Sequence, residues 1–315
     1  MRERDFIDKI SKIHNNHVWE SDAEVVPAPD CIGNELFSMD SFSEKEDFLT
    51  CLTPRQMGRQ MACMAVSDIL VCGTTPQFML QNWRYDKKHD MDFYLEIAKG
   101  IESVLSYYMT RCVGGDTEFG EEWGWTSTMI GYSKDYPVIR GALPREDFDL
   151  FASDLMGVAN AAIFCGKTIP LLKPGIPVPT ESLFATDTSG GFMDALENFR
   201  RINYGMHLEV DADSLISPKV YKMLPKNAEP GWTLVGGVGE YELVFALPAG
   251  STCEKSVKIG SGYFTDSKQR KGDNEFIITH NGKRGVMTEP PPDYREIDKQ
   301  DWVDATAQYW DSLFK

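Results

Sequence analysis

The sequence predicts an α/β protein of the α+β kind, built in two halves, and three observations carry that expectation. Strand-like apolar runs alternate with amphipathic helices along the chain. Pro137, Gly141 and Pro144 interrupt the alternation near residue 140, and a second series then begins. A chain of 315 residues, 42 % hydrophobic and 25 % charged, has the length and composition for two ordinary cores. The expected division is residues 1–140 and 141–315.

In the first half, residues 35–39 are short and apolar and end at Asp40. Residues 55–72 predict a helix, because Met57, Met61, Met64, Ala65 and Ile69 recur at helical spacing, with Gly73 and Pro76 as its stop. Residues 78–83 follow as a strand. Over 91–108, Tyr94, Ile97, Ala98, Ile101, Val104, Leu105 and Tyr108 line one helical face, opposite Asp92, Glu96, Lys99 and Glu102. A short strand over 111–113 ends in Gly114-Gly115-Asp116, and another covers 126–132.

The second half starts with a strand over 148–153 and a helix over 155–164 closed by Gly166. A strand over 183–186 runs into Asp187 and a helix over 192–203. Residues 233–247 predict a long β-rich run bent by Gly236, Gly237 and Gly239. Residues 276–279 and 284–287 flank Asn281-Gly282, a hairpin pattern, and a final helix covers 300–313. The aromatics of that helix (Trp302, Tyr309, Trp310, Phe314) are expected as core.

Charge and cysteine usage exclude several classes. Lys+Arg number 32 against 48 Asp+Glu, a net charge of −16, so the surface repels phosphate backbones and anionic lipid. No nucleic-acid or membrane partner is expected. A phosphorylated small molecule remains compatible, since magnesium can lie between protein carboxylates and phosphates. Seven scattered cysteines without a CxxC pair argue for reduced thiols. The first twenty residues have no uninterrupted apolar core, and no stretch reaches about 18 apolar residues. A cytoplasmic location is the expectation.

Several aspartates sit where an apolar run gives way to a polar or glycine-containing turn: Asp30, Asp40, Asp116 and Asp187. Asp68 differs, lying inside the Met-rich helix among apolar neighbours, where a carboxylate faces solvent or needs a cation. Hard oxygen ligands without a matching set of histidines suit magnesium rather than zinc. Singly, each of these acids is as well explained as a turn former or helix cap. Gly114-Gly115, Gly190-Gly191 and the Gly236–Gly239 cluster permit close backbone approach to an anion, or simply tight turns. Other motifs fail. Gly166-Lys167-Thr168 lacks the first P-loop glycine, since position 161 is Ala161, and neither GxGxxG after a strand nor GxSxG occurs.

In order, the motifs resemble those of the thiamine-monophosphate kinases, within the aminoimidazole ribonucleotide synthetase-like (PurM-like) superfamily. The resemblance runs from about residue 25 to 265. VVPAPDCIGNELFSMDSFSEKEDF is similar to the family's acidic N-terminal stretch, its strand ending in Asp and the turn after it. MGRQMACMAVSDILVCGTTPQFML is similar to its long helix carrying Ser-Asp. CVGGDT matches its Gly-Gly-Asp-Thr loop, VIRGAL its turn at the domain join, FATDTSGGFMDAL its Asp-x-Ser-Asp-Gly-Leu motif and VGGVGEYELVF its Gly-Gly-Glu-Asp-Tyr-Glu-Leu strand.

The resemblance implies two PurM-like α/β domains, the N-terminal sheets pairing across a homodimer. It implies magnesium and ATP in a cleft lined by Asp30, Asp40, Asp68, Asp116 and Asp187 as metal-site positions. Arg140, Gly114, Gly115, Thr117 and Ser189 would contact the nucleotide, with Asp116, Asp187 and Arg140 at the centre of catalysis. Departures fall at Pro29-Asp30 and Gly190, where the family has acids, and at Asp47, Asp154 and Glu240. The activity implied is an ATP- and magnesium-dependent phosphotransferase acting on a small acceptor, itself possibly a phosphate ester. Two alternatives stay open: an ATP-dependent amide-activating cyclo-ligase of the same superfamily, and a nucleotide-binding dimer without catalysis.

Overall fold

A computed structural model gives the arrangement of the chain, describing residues 21–27, 33–237, 239–265, 274–293, 297 and 299–315. The first sheet uses β1 (Glu24–Pro27), β2 (Asn34–Phe42), β3 (Pro76–Tyr85), β4 (Arg111–Phe119) and β5 (Gly124–Ser133), in spatial order β1-β2-β5-β3-β4. Two helices cover one face of it, α1 (Pro54–Leu70) and α2 (Met91–Tyr108). Thr53 starts α1 through a capping box with Gln56, and Pro54 occupies the first turn, where its missing N–H costs nothing. Asp90 starts α2, accepting a 3.0 Å bond from the Phe93 N–H.

The second sheet uses β6 (Phe148–Ala152), β7 (Phe184–Asp187), β8 (Met206–Asp211), β9 (Leu243–Pro248), β10 (Val257–Phe264), β11 (Glu275–His280) and β12 (Lys283–Val286), ordered β12-β11-β8-β10-β6-β9-β7. Around it lie α3 (Val158–Phe164), α4 (Phe192–Ile202), two short helices α5 (Ala212–Leu215) and α6 (Pro218–Met223), and α7 (Lys299–Leu313). The core under α1 and α2 continues into Phe151, Ala185, Leu243 and Phe245 of the second sheet. Alpha-1 is therefore buried from both sides, with twelve of its residues inaccessible, from Met57 to Leu70.

Most helices match their expected spans, and α2 does so residue for residue. Three expectations need correction. Beta-2 continues through Asp40 to Phe42, so Asp40 lies inside a strand and not at its end. Beta-4 likewise runs through Gly114-Gly115-Asp116 to Phe119, because pairing with β3 supplies the hydrogen bonds that glycine's weak strand propensity withholds. Residues 233–247 are not one strand: Pro230–Leu234 is a 3₁₀ turn, a glycine loop follows, and only Leu243–Pro248 is extended. The Asn281-Gly282 hairpin forms as expected, both residues taking left-handed backbone angles.

Candidate active site

Three carboxylates from distant parts of the sequence meet where the two sheets face each other across α1. Asp22 precedes β1, Asp68 lies in the last turn of α1, and Asp187 ends β7; one ligand oxygen from each lies within 4.8 Å of the others. Asp40, on the inward face of β2, borders them. Burial first, then the charges of Asp187, Asp47 and Asp22, push its carboxyl up to about 7. Asp68 is raised well above the carboxylate range by burial, followed by Asp40, Asp187 and Asp22. Burial carries Asp22 to about 6, although Arg140 pulls the other way.

Hydroxyls and one guanidinium hold these acids in place. Ser67 Oγ lies 2.7 Å from Asp187 Oδ2, and Ser189 Oγ donates to Asp187 Oδ1 at 2.9 Å. Ser38 donates to Asp68. Arg140, 13 % exposed, pairs with Asp22 and donates from Nε to Thr186 Oγ1 at 3.2 Å. The second oxygen of Asp22, Oδ2, is buried with no hydrogen-bond partner among the described residues. A buried lone pair without a donor, beside two further carboxylates that repel one another, is a set of hard oxygens fitted to a divalent cation.

The predicted site residues divide accordingly. Asp40, Asp68, Asp187, Arg140 and Ser189 come together. Asp30 lies outside the described residues, and Asp22, which the sequence reading passed over, stands in the cluster. Asp22 precedes its apolar run, whereas Asp40, Asp116 and Asp187 each follow one, the pattern by which an acid stands out in the sequence. Arg140 is engaged with Asp22.

Asp116 does not join them within one chain. Asp40 pairs across the first sheet with Ser127, Gln81 and Gly115, whereas Asp116 pairs with Asn82, Thr126 and Ser41. Side chains alternate between faces, so Asp116 points away from the side that carries Asp40. It is exposed on the edge strand, together with Gly114, Gly115 and Thr117, and accepts a bond from the Thr117 N–H at 2.8 Å.

Three of the remaining departures are held by local contacts. Asp47 accepts from the Ser43 N–H at 2.7 Å, and burial raises its carboxyl to about 7. Glu240 accepts from the Gly157 and Ala159 N–H groups at the start of α3; burial holds it at about 7. Gly190 leaves room for the Asp194 carboxylate, which a Cβ there would crowd.

Residues 20–133 match the AIR synthase related protein, N-terminal domain family. The thiamine-monophosphate kinase of Archaeoglobus fulgidus is 23 % identical over 265 residues, 78 % of this chain and 86 % of that protein. Among solved structures, AaThiL complexed with AMPPCP and TMP superposes with a TM-score of 0.73 at 19 % identity, covering 90 % of this chain and 96 % of its own. The E. coli hydrogenase maturation protein HypE gives 0.63 at 16 %, covering 92 % and 99 %. The fold is that of these solved structures, and residues 20–133 carry the match to the AIR-synthase-related N-terminal domain. Over the aligned 265 residues its sequence is similar to that of a thiamine-monophosphate kinase.

Proposed function

We propose that this protein is an ATP- and magnesium-dependent phosphotransferase of the thiamine-monophosphate kinase type, serving thiamine biosynthesis in the cytoplasm. The observation that carries the reading is the convergence of Asp22, Asp68 and Asp187, with Asp40 beside them and a buried oxygen awaiting a partner. The relative solved with AMPPCP and TMP supports an ATP-like donor and a phosphorylated acceptor. Bound magnesium supplies the positive charge that lets carboxylates and phosphates share one site. Asp22, Asp68 and Asp187 hold it, Asp40 adds charge at its border, and Arg140 fixes Asp22. Ser67 and Ser189 orient Asp187. Phosphoryl transfer to a phosphate oxygen needs alignment and charge neutralisation, and no strong general base.

In this reading residues 1–140 and 141–315 are the two domains, and the active form is a homodimer. Val26, Met39, Phe78 and Leu80 are exposed apolar side chains on the open face of the first sheet, the face that carries Asp116. A second copy seated there would cover Gly114, Gly115, Asp116 and Thr117 as part of the nucleotide site.

Calorimetric titration with magnesium and AMPPCP tests the reading. Asp68→Asn and Asp187→Asn should each weaken magnesium-dependent binding by more than about tenfold. Phosphorus NMR should then show transfer to the acceptor. Inorganic phosphate beside an unphosphorylated product would favour the ligase, and nucleotide binding unchanged in both variants would remove the assignment.

A further inference from the structure

The C-terminal helix backs the turn that carries one of the acids. Residues 188–191, directly after Asp187, lie against a glycine loop. A Cβ on Gly191 would stand 2.6 Å from the Gly236 Cα, one on Gly236 would stand 3.0 Å from the Gly190 oxygen, and one on Gly239 would run into the Thr188 and Ser189 oxygens. Backbone meets backbone there with no side chain between. On its other side the same loop is pressed by Trp302 of α7: a Cβ on Gly237 would collide with the indole. Trp302 is 6 % exposed and lies 5.0 Å from Phe164 of α3, ring centre to ring centre. Gly236 and Gly237 are thus a single layer of backbone between an indole and the aspartate turn.

We propose that Trp302 is a positioning residue for Asp187, acting through Gly237 and Gly236 on the turn that sets the carboxylate's direction. This rests on the reading of Asp187 as a cation ligand. Ser189 Oγ and N–H both bond Asp187 Oδ1, at 2.9 and 3.3 Å, so a shift of the 188–191 turn moves a ligand oxygen directly. Close packing transmits such a shift because Gly236 and Gly237, which bridge the indole and the turn, carry no side chain to absorb it. Trp310, eight residues along the same helix, supplies the contrast. It packs on Gly231 and the His280 ring, away from the turn.

The test is manganese binding, followed by electron paramagnetic resonance on the full chain without nucleotide. Trp302→Leu should weaken manganese affinity about tenfold, in the range seen when groups supporting a ligand are lost. Trp302→Phe, which keeps a ring on Gly237, should recover most of it. Trp310→Leu should leave affinity within about twofold of the parent while costing comparable stability in urea. Should Trp302→Leu fail to fold, Phe164→Leu removes the ring that braces Trp302 and should weaken affinity in the same direction. Equal weakening by Trp310→Leu and Trp302→Leu, or parental affinity in Trp302→Leu and Phe164→Leu, overturns the proposal. A parent chain that binds no manganese overturns the cation reading and this inference with it.

Discussion

Asp22 is separated from Asp68 by 46 positions and from Asp187 by 165, yet it is the acid whose surroundings say most about the site. Arg140 and Thr186 satisfy one of its oxygens and leave the other buried and bare. Asp22→Asn would replace half of the carboxylate by an amide that repels a cation, and would strip Arg140 of its counter-charge. Magnesium-dependent AMPPCP binding should fall by more than about tenfold, as for loss of a ligand or its support. Calorimetry on Asp22→Asn and the parent side by side checks it. Asp40, Asp68 and Asp187 were legible beforehand because each breaks an apolar pattern in a way that needs explaining. Asp116 also stood out, but its face depends on the pairing of β3 with β4, including the irregularity between Met79 and Leu80. A slip of one residue turns every side chain over, and nothing in the local sequence fixes it.

Helices were easier to read than strands, and α1 and α2 show why. Their periodicity is written in the sequence, and caps at Thr53 and Asp90 mark where each begins. Beta-10 is hard to read because Gly260 and Gly262 interrupt its strand pattern; in the fold those glycines let β10 lie directly against Glu209, His207 and the Phe148 ring. What the periodicity does not announce is the crossing of α1 and α2, where Gly58 meets Ile97 and Gly100 meets the backbone of Arg55 and Arg59. Because α1 carries Asp68, that crossing also sets the height of one site acid. Gly→Ala inside a helix ordinarily stabilises by about 0.5–1 kcal/mol. Gly100→Ala should do the reverse, because its Cβ would strike the Arg55 carbonyl; a loss of about 1–3 kcal/mol is expected from overpacking. Urea unfolding checks the sign. A gain in stability would mean that the helices are not held this close.

Burying so many acids couples the stability of the protein to pH in an unusual direction. Asp22 and Glu242 titrate at about 6, Asp40, Asp47 and Glu240 at about 7, and Asp68 is raised as well, burial being the first cause in each case. In the unfolded chain these groups lose their protons near 4. Between about pH 4 and 7 the folded form therefore holds more protons than the unfolded one, and stability must fall as pH rises through that window. Self-repulsion from a net charge of −16 at pH 7 acts in the same direction. A divalent cation bound at the cluster replaces the protons that Asp22, Asp40 and Asp68 would otherwise keep. Magnesium should consequently bind weakly at pH 5, bind more tightly at pH 8, and release protons as it does so near pH 6.5. Urea midpoints in EDTA should be lower at pH 8 than at pH 5, and magnesium should recover the difference at pH 8 while changing little at pH 5. Rising stability from pH 5 to 8 in EDTA would mean that these carboxyls are ionised and already compensated in the folded chain, leaving no electrostatic demand for a cation to meet.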